Sequence, residues 1–170
     1  MKPLLIVDGY NVIGSWTEAE KKAWSLDESR DRLMHQLQDY GGYTGEEVVL
    51  VFDGYQSDKK LTTEENHGTL TLVFTKHGET ADAYIERFVA QTPKYRSVRV
   101  ATSDGLEQSL VLGSGATRMT SRELLRELRQ MRQRGLDQHR NAEPVQKHSL
   151  GARLPEDTRR ILERLRRGSN

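Results

Sequence analysis

Short aliphatic runs alternate along this chain with longer stretches in which apolar residues return every three or four positions. Runs of strand length stand at Leu4 to Val7, Val48 to Phe52, Leu70 to Phe74 and Val98 to Ala101, with a weaker one at Ala116 to Met119. Most are continuous rather than alternating, the pattern of strands covered on both faces. Between the first two, Thr17 to Tyr40 reads as one long charged helix with Leu26, Leu33 and Leu37 on its apolar side. From Thr80 to Val89, the residues Ala81, Tyr84, Ile85, Phe88 and Val89 fall on one helix face. Thr120 with Glu123 three residues on is a capping-box pattern, and Leu124, Leu125 and Leu128 follow it. Strand and helix in alternation predict an α/β fold, a three-layer Rossmann-like and mainly parallel sheet with helices on both faces. Only the second and third strands depart from that rhythm, because a polar loop joins them.

After Gly135 the periodicity fades. Residues 135 to 154 are polar and mixed, and then Pro155, Glu156 and Asp157 open a short helix that runs into Arg164, Arg166 and Arg167. The pattern predicts one domain over residues 1–135 and a basic helical extension over residues 136–170. A chain of 170 residues is long enough for one real core.

Charge adds a polarity that the net value of +1 conceals. From Arg118 onward there are 14 Arg and Lys against 7 Asp and Glu, which leaves 12 against 18 in the front part. The rear suits a partner that carries phosphates, and the front suits cations. The absence of cysteine excludes disulfide scaffolds, thiolate zinc sites and cysteine nucleophiles. Leu4 to Val7 is too short for a signal-peptide core and no stretch has the length of a membrane span, so a cytoplasmic protein is expected.

Three strands end alike, as "LLIVDGYN", "VVLVFDGY" and "VRVATSDG". Asp8, Asp53 and Asp104 each stand where a buried run stops, and a glycine follows each. Parallel strands gather their carboxyl ends on one edge, where ligands of open sheets bind, so three distant carboxylates can meet in one crevice. Asp82, in the first turn of the helix before the last of these strands, is a fourth candidate, with Glu79 just ahead of it. Taken singly, an Asp-Gly pair or an Asp before a helix is a turn or a cap. Asp53 is the acid most open to that reading, because a loop follows it.

Clustered carboxylates repel unless a cation sits among them. A hard divalent ion, Mg²⁺ or Mn²⁺, is the natural neutraliser because it takes oxygen ligands. Zinc does not fit, since the five histidines lack metal spacing; only His77, two residues before Glu79, is kept in reserve. There is no phosphate-binding G-x-x-x-x-G-K-[ST] and no G-x-S-x-G frame around Ser103, which is read as a helix cap beside the site.

The stretches "IVDGYNVI" at 6–13, "VFDG" at 51–54, "ETADAYIER" at 79–87 and "VATSDG" at 100–105 resemble the NYN domain in its bacterial YacP-like form, within the PIN-like nuclease superfamily. The resemblance covers about residues 3 to 135, and the basic C-terminal extension also looks like that of YacP-like proteins. It implies a Mg²⁺ or Mn²⁺ site and endoribonuclease activity. It also implies a role in mRNA decay, with the ribosome as a partner. Carried over by position, the metal-binding and catalytic acids are Asp8, Asp82 and Asp104, supported by Asn11 and Asp53. Asn11 reads equally well as a group that orients a metal-bound water or phosphate oxygen and as a cap after the strand. Tyr10 and Tyr55 read either as base-stacking rings or as packing under the loop.

For RNA binding, Arg122, Arg126 and Arg129 share a face of the Thr120 helix, and Arg160, Arg164 and Arg167 crowd the last one. Two rival readings are a non-catalytic RNA-binding protein and a Mg²⁺-dependent receiver-like phosphoacceptor using Asp53. The receiver predicts paired acids after the first strand and a lysine after the fifth. Here Asp8 is followed by glycine, and "RMTSRE" contains no lysine.

Overall fold

The structure, a computed structural model, describes residues 1–103 and 115–141, together with Arg164. The chain divides into two compact units, Met1–Met131 and Arg132–Asn170. The first unit carries the sheet. Its strands are β1 (Leu4–Asp8), β2 (Glu47–Phe52), β3 (Thr63–His67), β4 (Leu70–Phe74), β5 (Val98–Ala101) and β6 (Thr117–Met119), in the spatial order β3-β4-β2-β1-β5-β6. All neighbours are parallel except β3 and β4. β1 lies between β2 and β5, and all five of its residues are buried. Its unbroken LLIVD run follows from cover on both faces.

Alternation along the strands sorts the core into two layers. Leu5, Val7, Leu50 and Phe52 face Leu33 and Leu37 of α3 (Leu26–Thr44) and Leu124 and Leu128 of α5 (Ser121–Asn141). Leu4, Ile6, Val49 and Val51 face Ala81, Tyr84 and Ile85 of α4 (Ala81–Gln91). The predicted α/β class, with helices on both faces of a mainly parallel sheet, is therefore the observed one. The capping box also forms as expected: Glu123 N donates to Thr120 Oγ1 at 3.1 Å, and Thr120 N donates back to Glu123 Oε2 at 3.0 Å.

One element is added to those expected, and three local expectations are corrected. The residues after β1 form a short helix, α1 (Gly9–Gly14), capped by Asp8. The single helix expected over Thr17 to Tyr40 is two, α2 (Thr17–Lys21) and α3. Ala23 takes a left-handed φ of 51° that no helix accommodates, and Ser25 starts the second helix by accepting from Glu28 N at 3.1 Å. The polar loop contains β3, whose TEENH sequence is mostly exposed and gives no hydrophobic signal. Pairing with β4 supplies its ladder, and Gly68, at φ 72°, turns the hairpin with its N–H on Asn66 Oδ1 at 3.0 Å. Finally, α5 continues through Gly135 to Asn141. The helix expected from Pro155 lies outside the described residues except Arg164, which is helical and exposed. Among the described residues no helix is long and apolar enough to cross a membrane.

A charged cluster joins α3, β5 and α5. Arg99 Nη2 donates to Glu46 Oε1 and to Tyr40 Oη, both at 2.7 Å, and Tyr40 Oη donates to Glu127 Oε2 at 2.8 Å. Burial opposes the guanidinium charge, but the bonds to Glu46 and Tyr40 outweigh it and hold the pKa of Arg99 above its usual value. Burial, then the bond to Glu127, pushes Tyr40 up. Arg99→Met is expected to cost about 3 kcal/mol, because Glu46, largely out of water, loses its cation. Urea denaturation of the variant beside the parent chain measures this, and an unchanged midpoint would show that the cluster contributes nothing net.

Candidate active site

The strand order reverses at β1: the chain leaves it toward β2 and β4, then returns to place β5 on its other side. A crevice opens beyond the carboxyl ends of β1 and β5 at such a switch point. Asp8 closes β1 at this edge and is 8% exposed. Its Oδ1 accepts from Asn11 N at 3.4 Å and caps α1, so the strand end places a carboxylate at a helix N-terminus.

Asn11 ties the two sides of the switch point together. Its Oδ1 accepts from Ser103 N at 2.9 Å, just past β5, and from the buried Ser121 Oγ at 2.6 Å. Ser121 N in turn donates to Ser103 Oγ at 3.2 Å. The side-chain oxygen of Asn11 is thus shared between two donors, and neither of the roles read from sequence describes it fully: it bridges β5 and the start of α5. Ser103 likewise receives the first N–H of α5. Ser121 is a residue that sequence reasoning missed; its only signal is its place directly after the capping Thr120.

Asp53, one residue past β2, holds a different junction. Its Oδ1 accepts from Tyr55 N at 2.6 Å, the turn expected of an Asp-Gly pair. Its Oδ2 accepts from Ala81 N at 3.3 Å, the first residue of α4. Thr80 caps α4 by accepting from Ala83 N at 3.1 Å, which sets Asp82 in the first turn, half-buried. The turn role and the site role of Asp53 are therefore not alternatives, since one carboxylate anchors the helix that carries Asp82.

These elements enclose a cleft of about 580 Å³ lined by Asp8, Tyr10, Asn11, Asp53, Tyr55, Gln56, Thr80, Ala81 and Asp82. Three carboxylates line it, and no basic side chain does among the described residues. Among the described residues no three acidic or histidine side chains are grouped closely enough to hold a metal by themselves. Asp104, the next residue after Ser103, lies outside the described residues.

Glu79 does not reach the cleft. Its buried carboxylate pairs with Arg87 Nη1 at 2.6 Å and accepts from Thr62 Oγ1 at 2.9 Å. His77, by Nδ1, contacts the Ser57 carbonyl at 2.7 Å, and it stacks with Tyr55. Arg122, Arg126 and Arg129 line one hollow of about 440 Å³ together with Trp16, Glu18 and Glu20. Arg160 and Arg167 lie outside the described residues.

The glycines that follow Asp8 and Asp53 serve close approach. A Cβ on Gly9 would stand 2.4 Å from the Phe52 ring, and one on Gly54 would stand 1.8 Å from the Thr75 carbonyl oxygen. Gly54 N also donates to Thr75 Oγ1 at 2.8 Å. The repeated Asp-Gly pair therefore combines a polar group at a strand end with a backbone that passes hard against its neighbour.

The sequence and the fold both have counterparts among known proteins. Residues 5–167 match the YacP-like NYN domain. The chain belongs to that family. It is 36% identical over 167 residues to the uncharacterized protein YacP of Bacillus subtilis strain 168, covering 97% of each chain. The crystal structure of Rae1 (YacP) from Bacillus subtilis superimposes with a TM-score of 0.67 at 36% identity, covering 99% of this chain and 96% of that one. A tryptophan-to-leucine mutant of the same protein gives 0.70 at 34% identity, over 95% and 99%. NYN domains have a nuclease-type fold.

Proposed function

We propose that the chain is a metal-dependent endoribonuclease that hydrolyses RNA phosphodiester bonds, with mRNA as substrate and the ribosome as its platform in the cytoplasm. The observation that carries this reading is the convergence of Asp8, Asn11, Asp53 and Asp82 in one cleft at the switch point of an NYN-family sheet. The donor set fits Mg²⁺ or Mn²⁺: among the described residues the cleft offers carboxylate and amide oxygens and no imidazole or ammonium. Asp8 and Asp82 would hold the ion together with Asp104. When bound, such an ion polarises the scissile phosphate and lowers the pKa of a coordinated water.

The chain's own residues do the positioning. Asp53 anchors the first turn of α4, so Asp82 is held on a rigid element rather than a loop. Asn11 and Ser121 clamp the ends of β1 and β5, fixing Asp8 against the segment that leads to Asp104. Arg122, Arg126 and Arg129, with Arg160, Arg164 and Arg167 of a basic extension over residues 136–170, supply sequence-independent grip on phosphates.

Among the described residues the cleft lining contains no histidine to activate a ribose 2′-hydroxyl. Attack by water on phosphorus is the route its oxygen ligands support, so products should carry 5′-phosphate and 3′-hydroxyl ends. Incubation of end-labelled single-stranded RNA with the full chain and Mn²⁺, followed by end analysis, tests this. A 2′,3′-cyclic phosphate would overturn the mechanism, and binding without cleavage would leave a non-catalytic RNA-binding protein.

A further inference from the structure

A stripe of cations runs away from the acidic cleft along α5. Ser121 Oγ donates at 2.6 Å to Asn11 Oδ1, and Asn11 lines the cleft, so the stripe starts one residue from the cleft wall, at Arg122. Arg126 and Arg129 continue it on the same helix face, and all three line one hollow of about 440 Å³. At 1.5 Å of rise per residue the stripe is about 10 Å long. All three arginines are exposed, and none makes a hydrogen bond or ion pair among the described residues. The two acids interleaved with them are engaged elsewhere. Glu123 Oε2 accepts from Thr120 N at 3.0 Å, and Glu127 accepts from Tyr40 Oη at 2.8 Å and from Arg99 Nη1 at 3.4 Å. Across the hollow Glu18 pairs with Lys22 at 3.0 Å, which leaves Glu20 as the one lining acid without a cation among the described residues. Three guanidiniums against one carboxylate leave a surplus of two positive charges.

The hollow is built for a charged backbone rather than for bases. Its one aromatic residue, Trp16, is buried and meets Trp24 edge-on at 5.2 Å, so it offers no open ring face for stacking. Unpaired guanidiniums without an aromatic platform suit phosphate oxygens. Gly14 completes the wall at the end of α1. It is exposed, nothing stands within 4 Å of its Cβ position, and its φ is not left-handed, so the fold itself does not call for glycine there. A glycine lets a ligand pass close to the protein backbone. Asn11 and Gly14 lie one turn apart on α1, so a single face of this helix leads from the cleft to the hollow.

We propose that Arg122, Arg126 and Arg129 hold successive phosphates of the same RNA strand whose scissile phosphate lies in the cleft, on one side of the scissile bond only, with Gly14 giving the strand its passage. The inference rests on the nuclease reading of the cleft and adds a path to it. Because α5 leads away from the cleft in one direction, only the RNA on one side of the bond reaches the arginines. Contacts to phosphate carry no sequence information, so this arm of the strand is bound whatever its bases.

The test uses the full chain and a short single-stranded RNA. Cleavage by the parent chain with Mn²⁺ first maps the scissile bond. Binding is then measured by fluorescence anisotropy across a salt series with an Asp82→Asn chain, on RNAs shortened one nucleotide at a time from either end. Shortening on one side of the bond should weaken binding stepwise through the arginine contacts. Adding Arg122→Gln, Arg126→Gln and Arg129→Gln together should lower the slope of log affinity against log salt by about 2, since each phosphate contact to a single strand contributes about 0.7. The same triple change should abolish the stepwise loss on that side and leave RNA already trimmed there bound as before. Glutamine keeps the helix propensity of arginine, so α5 is retained. A charge pair at Gly14 supplies a second reading: Gly14→Lys should tighten binding of the untrimmed RNA and Gly14→Glu should weaken it, whereas shifts in one direction, or none, would overturn a phosphate path beside Gly14. If the triple variant loses affinity equally for RNAs trimmed on either side, or loses none, while the parent chain cleaves, the path is overturned and the nuclease reading stands. A parent chain that leaves RNA intact would overturn the nuclease reading first, and with it a path defined from the scissile bond.

Discussion

Asp82→Asn is expected to lower Mn²⁺-dependent RNA cleavage by at least about 10²- to 10³-fold, the usual loss when one electrostatic stabiliser of a transition state is removed, while the fold stays intact. The carboxylate of Asp82 makes no hydrogen bond or ion pair among the described residues, although it lines a cleft with two other acids. Removing one charge from a group of like charges relieves repulsion in the metal-free protein. Its melting temperature should hold or rise slightly without added metal. Asp8→Asn should cost activity to the same extent, and it is the harder case structurally, because Asp8 also caps α1. Asparagine caps nearly as well as aspartate, so the Asn11 N–H keeps an acceptor and α1 keeps its start. Cleavage and thermal melting measured on the same preparations decide the matter. Normal cleavage by either variant removes that residue from the site, and loss of the fold in Asp8→Asn would make its carboxylate structural.

Gly54→Ala is expected to destabilise the chain by about 3 kcal/mol or more, at or beyond the upper end of overpacking, because the new methyl would stand 1.8 Å from the Thr75 carbonyl oxygen. A backbone oxygen cannot swing aside as a side chain does. Either β4 shifts at its end or the turn after β2 moves. If the turn moves, Gly54 N leaves Thr75 Oγ1 and Asp53 is pulled from Ala81 N, so cleavage should fall along with stability. Gly42→Ala in α3 is the control: nothing stands within 4 Å of its Cβ position, and a helical glycine replaced by alanine should stabilise by about 0.5–1 kcal/mol. Denaturant titration of both variants gives the comparison. Equal stabilities would show that the contact between Gly54 and Thr75 yields at little cost.

The candidate site was legible in sequence where position alone decides it. Asp8 and Asp53 end strands that any reader of the aliphatic runs would draw, and parallel strands bring their ends to one edge. Asp82 follows from the helix pattern and its capping threonine. Glu79, three residues before Asp82, could not be placed that way, because its direction depends on Arg87, eight residues further on, and on Thr62 before β3. Asn11 was visible as a polar residue at a strand end. Its work as a bridge depends on Ser103 and Ser121, 92 and 110 positions away.

By itself the sequence determined whatever is settled within a few residues or by simple burial. Continuous aliphatic runs of four or five residues, rich in valine and bounded by polar or glycine-containing turns, have the length and composition of strands covered on both faces. The Thr120–Glu123 box closes on itself because both partners lie within one turn. Tertiary structure decided the rest. β3 exists because β4 offers it a ladder, since its own TEENH sequence has no face to bury. The break between α2 and α3 places Trp24 on Trp16 at 5.2 Å, a contact that the helical periodicity of charged residues does not show. The carboxylates of Asp8, Asp53 and Asp82 share one cleft only because β1 and β2 pair in register and α4 starts against the turn after β2. Charge repulsion alone would keep such groups apart in the unfolded chain. The buried sheet beneath them holds them together, and its hydrophobic free energy exceeds the cost of crowding them.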